Sequence, residues 1–186
     1  IFQDSTEALW FGTFGRGLYR LDRGTNHVVH YLHDPGNPST IGASGLYSIA
    51  LDRTGTIWIG LYGGLDRYDR ATDSFEHFTE RDGLASNFVK AILADDRGTL
   101  WLSTTKGLSR FDPVKRHFTN FGIDDGIQAN EFRTESCFKA NDGRMYFGGV
   151  NGYNVFHPDS ILDNPIPPRV VLTSFNVFDK PYSLHG

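Results

Sequence analysis

Apolar and polar positions alternate in short runs along most of the chain, and each run ends in a turn rich in Gly, Asp or Asn, the pattern of β-strands joined by tight turns. In Ile57-Trp58-Ile59-Gly60-Leu61 the alternation puts Ile57, Ile59 and Leu61 on one face and Trp58 and Gly60 on the other. Both faces are apolar, so both are expected to be covered. A small residue two positions after an aromatic recurs at Gly12, Gly60, Ser103 and Gly148, and it would leave room on that face for a neighbouring sheet.

The runs themselves repeat. Trp10, Trp58, Trp101 and Tyr146 head matching segments 48, 43 and 45 residues apart, too long a period for leucine-rich or ankyrin-type units and one that suits four short strands per repeat. Asp52-Arg53-Thr54-Gly55, Asp95-Asp96-Arg97-Gly98 and Asn141-Asp142-Gly143 read as hairpin turns between the first and second strands, with Gly accepting left-handed backbone. A third strand follows at Gly17 to Asp22, Gly64 to Asp69 and Gly107 to Asp112, and a fourth ends in an aromatic at Tyr31, Phe78 and Phe121. Antiparallel strands buried on both faces and repeated in this way predict an all-β fold, a β-propeller portion of about four four-stranded blades. A parallel β-helix would need shorter repeats, and a sandwich has no reason to repeat its sequence. The repeats span 1–160, with blades near 1–40, 41–84, 85–130 and 131–160.

The last copy departs from the others. Tyr146 replaces Trp, Val155 stands where Arg110 does, and His157-Pro158 replaces the Asp turn. Pro165, Pro167 and Pro168 then predict a stiff connector over 161–168. The alternation of Val170 and Leu172 with Val171, Thr173 and Phe175 predicts that 169–186 either closes the last blade or starts another domain.

These copies, from DGLASNFVKAILADDRGTLWLSTTKGLSRFDP through MYFGGVNGYNVFHPDSI to PPRVVLTSF, resemble the last blades of the two-component regulator propeller family, over nearly the whole chain. The resemblance implies the extracytoplasmic sensor region of a membrane-bound hybrid histidine kinase or a related regulator, on the periplasmic or extracellular side. It also implies a following immunoglobulin-like domain named for three tyrosines, a receptor homodimer, and a ligand that is an oligosaccharide or another small polar molecule. Such sensors carry more blades than this, about seven per ring. Ile1 aligns with Ile49, which leaves no counterpart of Leu46-Tyr47-Ser48; the chain is therefore expected to be a fragment of a larger ring that does not close stably alone.

Composition narrows the function. Aromatic residues make up 14% of the chain, with 21 glycines and 8 prolines, as befits a β-rich protein. The net charge of -4 comes with Lys and Arg scattered singly, so there is no basic stripe to follow a nucleic-acid backbone. No apolar stretch approaches the roughly 20 residues of a membrane span, so this segment is not expected to insert into a bilayer. The single cysteine, Cys137, excludes an internal disulfide and reads as a small buried hydrophobe.

Apparent chemistry is mostly absorbed by the repeat. Asp96-Arg97-Gly98-Thr99-Leu100-Trp101 resembles the Asp-box turn of sialidase-type propellers, which makes a carbohydrate-active propeller enzyme the rival reading and a protein-binding scaffold the third. The aspartates Asp22, Asp69, Asp112, Asp52 and Asp95 fall at equivalent turns instead of converging as a glycosidase pair would. Arg20, Arg67 and Arg110 share one third-strand position, where pairing with a turn aspartate is expected, and His30, His77 and His117 are expected at the rim. No histidine motif of metal-binding spacing and no nucleophile elbow occurs, so no catalytic residue, metal site or cofactor is expected. A ligand should be sought on the face where the second-to-third-strand loops meet the long loops between blades. There Arg16, Tyr62, Lys106 and Asn151 change from blade to blade, and are the candidate contacts for a sugar or another polar ligand.

Overall fold

The computed structural model describes residues 1–162, together with the backbone of 176–177 and 180–181. Most of the expected connector, and the closing strand or domain start at 169–186, lie outside the described residues apart from a short antiparallel pair, β16 (Asn176–Val177) with β17 (Lys180–Pro181). Four antiparallel sheets are each wound in sequence order. The first holds β1 (Phe2–Gln3), β2 (Leu9–Gly12), β3 (Leu18–Asp22) and β4 (His27–Tyr31); the second β5 (Leu46–Leu51), β6 (Ile57–Leu61), β7 (Gly64–Asp69) and β8 (Ser74–Phe78). The third holds β9 (Val89–Ala94), β10 (Leu100–Thr104), β11 (Gly107–Asp112) and β12 (His117–Phe121); the fourth β13 (Phe132–Lys139), β14 (Met145–Gly149) and β15 (Gly152–Phe156). The fourth blade thus has three strands among the described residues where four were expected.

Burial follows the alternation. Every residue of β6 and of β10 is buried, on both faces, and three apolar clusters fill the spaces between successive blades. Trp10 joins Ile57 and Ile59 in the first, Trp58 joins Leu100 and Leu102 in the second, and Trp101 joins Met145 and Phe147 in the third. The small residues after the aromatics are there for the next blade. A Cβ on Gly60 would stand 2.8 Å from the carbonyl oxygen of Val89 on β9, and one on Gly12 would stand 3.2 Å from Leu46 on β5.

The Asp turns explain the tryptophans. In the first three blades one carboxylate oxygen accepts backbone N–H bonds within its own turn, while the other accepts from the Trp ring: Asp4 with Trp10 at 2.9 Å, Asp52 with Trp58 at 2.9 Å, Asp95 with Trp101 at 3.2 Å. In the fourth blade Ala140 closes the equivalent turn and Tyr146 replaces the Trp, so both partners are lost together. Phe138, Tyr153 and Val155 of this blade are exposed.

Cations on this face tie blade to blade. Arg70 reaches Asp4 at 2.8 Å, Lys139 reaches Asp96 at 2.7 Å and Arg97 reaches Asp159 at 2.6 Å. The third-strand arginines lie over aromatics, Arg20 over Trp10 and Tyr31, Arg110 over Trp101 and Phe121. Arg20 meets a turn aspartate as expected, Asp73 of the next blade, whereas Arg67 meets Glu76 on the adjacent strand. Two clefts of about 280 and 290 Å³ open here between blades. Their charged walls include pairs already made, Arg97 with Asp159 and both Arg67 and Arg116 with Glu76, so these clefts read as seams of the assembly. Cys137 packs beside the third cluster, and burial pushes its thiol up to about 11, which suits an inert side chain.

Candidate functional site

On the opposite face the second-to-third-strand loops of the second, third and fourth blades are each stitched to the long loop that precedes the blade. Tyr62 N–H donates to Gly45 C=O, Val150 N–H to Glu131 C=O, and Ser86 and Thr105 share a hydroxyl hydrogen bond. The first blade's loop is instead held by the loop that follows it, Gly15 and Gly17 donating to Ser44 C=O. The long loops are pinned a second time by the variable residue of the third strand. Asp66 accepts from Gly42 N–H at 2.7 Å, Ser109 from Ala85 N–H at 3.1 Å and Asn154 from Gln128 N–H at 3.2 Å. These three anchors occupy one structural position with three different chemistries.

The first strands carry an irregularity at this same end. Pairing shifts between Leu46 and Ser48 and between Phe132 and Cys137, and Lys90 is passed over where Ser103 pairs with Ala91 and Thr104 with Val89. Tyr47 and Lys90 therefore lie in one-residue bulges, which re-aim a side chain out of the ladder, and Arg133 begins a longer irregular stretch, 133–136. Lys90 Nζ stands 4.4 Å from the Tyr47 ring centroid, and Phe14 meets that ring edge-on at 5.6 Å. Phe88 meets Tyr62 edge-on at 4.4 Å. Phe14 is 81% exposed and Tyr62 57%, so the cluster presents aromatic surface to solvent with an ammonium beside it. Burial, and then the neighbouring Tyr62, raise the Tyr47 hydroxyl above its ordinary value, which keeps it a neutral donor.

All four residues singled out from the sequence are exposed on this face, but their contacts differ. Tyr62 belongs to the aromatic cluster. Lys106 pairs with Glu80 at 3.3 Å, Asn151 N–H donates to Gln128, and Arg16 is held through its backbone by Thr13 and His30. The register also separates them: Tyr62 is first in its two-residue loop, Lys106 and Asn151 are second in theirs, and Arg16 is fourth in a five-residue loop. Phe14, Tyr47, Phe88 and Lys90 were not among the expected contacts; Tyr47 and Lys90 escaped because a bulge is a register event that alternation along one strand does not reveal. Of the histidines expected at the rim, His30 and His117 are exposed on fourth strands. His77 needs correction: it is partly buried and bonded to buried Asp66 at 2.8 Å, because β8 places it opposite the anchor position.

Comparison with known proteins agrees with this architecture. The family model described as two component regulator propeller matches residues 83–106, from the turn at Gly83 through β9 and the Asp turn to Lys106. That segment therefore matches a model of the family that the sequence resembles. Among curated proteins, histidine kinase P4 of Formosa agariphila is 22% identical over 233 aligned positions, which cover 99% of this chain and 17% of that protein. Among solved structures, the extracellular domain of a protein assigned as a hybrid two component system of B. thetaiotaomicron superposes with a TM-score of 0.67 at 21% identity, over 96% of this chain and 26% of that one. Virginiamycin B lyase from Staphylococcus aureus superposes with a TM-score of 0.66 at 17% identity, over 89% of this chain and 55% of that one. At these identities the superpositions establish the propeller fold. The chain spans less than a third of the histidine kinase and of the two-component extracellular domain.

Proposed function

We propose that this chain is the ligand-sensing part of a two-component receptor, non-catalytic in itself, and that it takes an oligosaccharide or a similar polar ligand on the loop face. The observation that carries the reading is the cluster of Phe14, Tyr47, Tyr62, Phe88 and Lys90, in which exposed ring surface stands beside a cation and hydroxyl donors. Aromatic faces cover the apolar side of a sugar ring while adjacent donors bind its hydroxyls, and polar groups at the rim fix orientation. Arg16, Lys106 and Asn151 are proposed as that rim. The family repeat supports the receptor setting, with the chain on the periplasmic or extracellular side. Its partners there would be further propeller blades, the immunoglobulin-like domain and a second receptor copy.

The test is an array of defined neutral and uronate-containing oligosaccharides probed with the wild-type chain and with the double variant Tyr47→Ala/Tyr62→Ala. The reading expects selective binding by the wild type and at least about a tenfold loss in the variant, the equivalent of 1.4 kcal/mol. Wild-type binding that the double variant retains would move the site elsewhere, and no binding at all would remove the sugar.

A further inference from the structure

His77 sits between two hydrogen-bond acceptors. Its Nδ1 is 2.8 Å from a carboxylate oxygen of Asp66 and its Nε2 is 2.9 Å from the carbonyl oxygen of Pro38. A neutral imidazole has one N–H and can serve only one of them, whereas the imidazolium serves both. Pro38 belongs to the long loop 32–45, and the same Asp66 carboxylate takes the Gly42 N–H of that loop at 2.7 Å. The approach is close enough that a Cβ on Gly42 would stand 2.9 Å from Asp66 and 3.0 Å from His77. Loop 32–45 is also the piece that holds the platform, through Ser44 C=O to the Phe14 loop and Gly45 C=O to Tyr62.

We propose that His77 is a proton-operated latch: as the imidazolium it fastens loop 32–45 to β7 and so sets the position of the aromatic platform, and on losing its proton it releases the Pro38 side of the loop. The latch stands on its own geometry; only its effect on ligand affinity rests on the sensing role. Catalysis is not its purpose, since Nε2 is capped by a backbone carbonyl.

The surroundings favour the charged form. Asp66 faces His77 from β7 and is almost wholly buried. His33 approaches Asp66 from the loop, its own Nδ1 against Ile41 C=O at 2.8 Å. Arg67, Asp69 and Glu76 share the open cleft beside His77, with Arg67 already paired to Glu76. Hydrogen bonding to Asp66 raises His77 above its ordinary 6.5, against the opposing effect of its partial burial. Burial pushes the Asp66 carboxyl up, with His77 and Gly42 pulling it back. For a histidine raised in the folded state, the stabilisation is complete below about 6.5 and is lost as pH rises through the folded-state value.

The repeat supplies its own control. Ala85 is anchored to Ser109 as Gly42 is anchored to Asp66, but serine does not titrate in this range. Amide hydrogen exchange, read by mass spectrometry on the full-length protein between about pH 5 and 9, compares the two loops as protection over the unstructured rate. Protection of the segment containing Gly42 should fall as pH rises, by up to about tenfold for each unit by which His77 is raised, while that containing Ala85 stays level. His77→Gln should abolish that fall; any dependence left by Asp66, which His77 no longer pulls down, runs the other way, because the carboxylate formed as pH rises is the better acceptor for Gly42 N–H. Equal pH dependence in the two loops would overturn the latch, and so would a fall in protection with rising pH that persists in His77→Gln; the contrast in the wild type needs no variant to be folded.

Discussion

The Asp-turn face and the loop face are opposite ends of the same strands, and they use one backbone repeat in different ways. On the Asp-turn face the chemistry recurs with the period: Asp4, Asp52 and Asp95 hold Trp10, Trp58 and Trp101, and cations such as Arg70 and Lys139 tie one blade to the next. On the loop face equivalent positions carry different chemistry. The anchor is Asp66, Ser109 or Asn154, and the irregularity presents Tyr47, Lys90 or Arg133. Where the same residue recurs, the fold requires it; where the residue changes, buried positions such as Asp66 and Ser109 each anchor their own loop, and the exposed positions are free to vary.

Substitutions should separate the two faces. The largest effect belongs to Trp58→Ala, which empties a fully buried site between the second and third blades and orphans Asp52; it should cost about 3–5 kcal/mol in chemical denaturation. Tyr62→Ala should stay within about 0.5 kcal/mol of wild type on the same measurement. Gly60→Ala comes next, at about 1–3 kcal/mol, because the added methyl meets the Val89 backbone of the next blade. Gly148→Ala in the last blade should cost clearly less, since there the obstruction is chiefly the Ser136 side chain, which can turn away.

A smaller effect appears in acid. Burial alone would raise Asp52, but hydrogen bonds from Thr54, Trp58 and Thr56 outweigh it and hold the carboxyl below its ordinary 3.8. Its contribution is therefore complete above about pH 4 and is lost as pH falls through the folded-state value. Partial solvation limits it to at most about 1 kcal/mol. Asp52→Asn should flatten that part of the stability profile, whereas wild-type Ala140, at the equivalent turn of the fourth blade, has no carboxyl there to titrate.

The same division explains what could be read from the amino-acid order. Turn glycines, strand alternation and the small residues after each aromatic answer to local backbone geometry and to close packing, and they recur wherever the geometry does. Gly55, Gly98 and Gly143 all take positive φ, from 82 to 89 degrees, as the hairpin reading requires. The Asp66–His77 pair was hidden because its members, 11 residues apart, meet only across the β7–β8 ladder, with Asp66 at the position of the third strand that varies most in chemistry. The platform was legible at Tyr62 but not at Tyr47 or Lys90, whose placement depends on shifts in pairing between strands.

The most direct test of this division is to measure the unfolding midpoint and glycan-array binding side by side for Tyr47→Ala/Tyr62→Ala and for Trp58→Ala. The account predicts that the first variant keeps its midpoint and loses binding by at least about tenfold, and that the second loses about 3–5 kcal/mol of stability while its remaining folded fraction still binds. Binding that survives in the platform variant, or that falls in both variants only in proportion to the folded protein left, would contradict it.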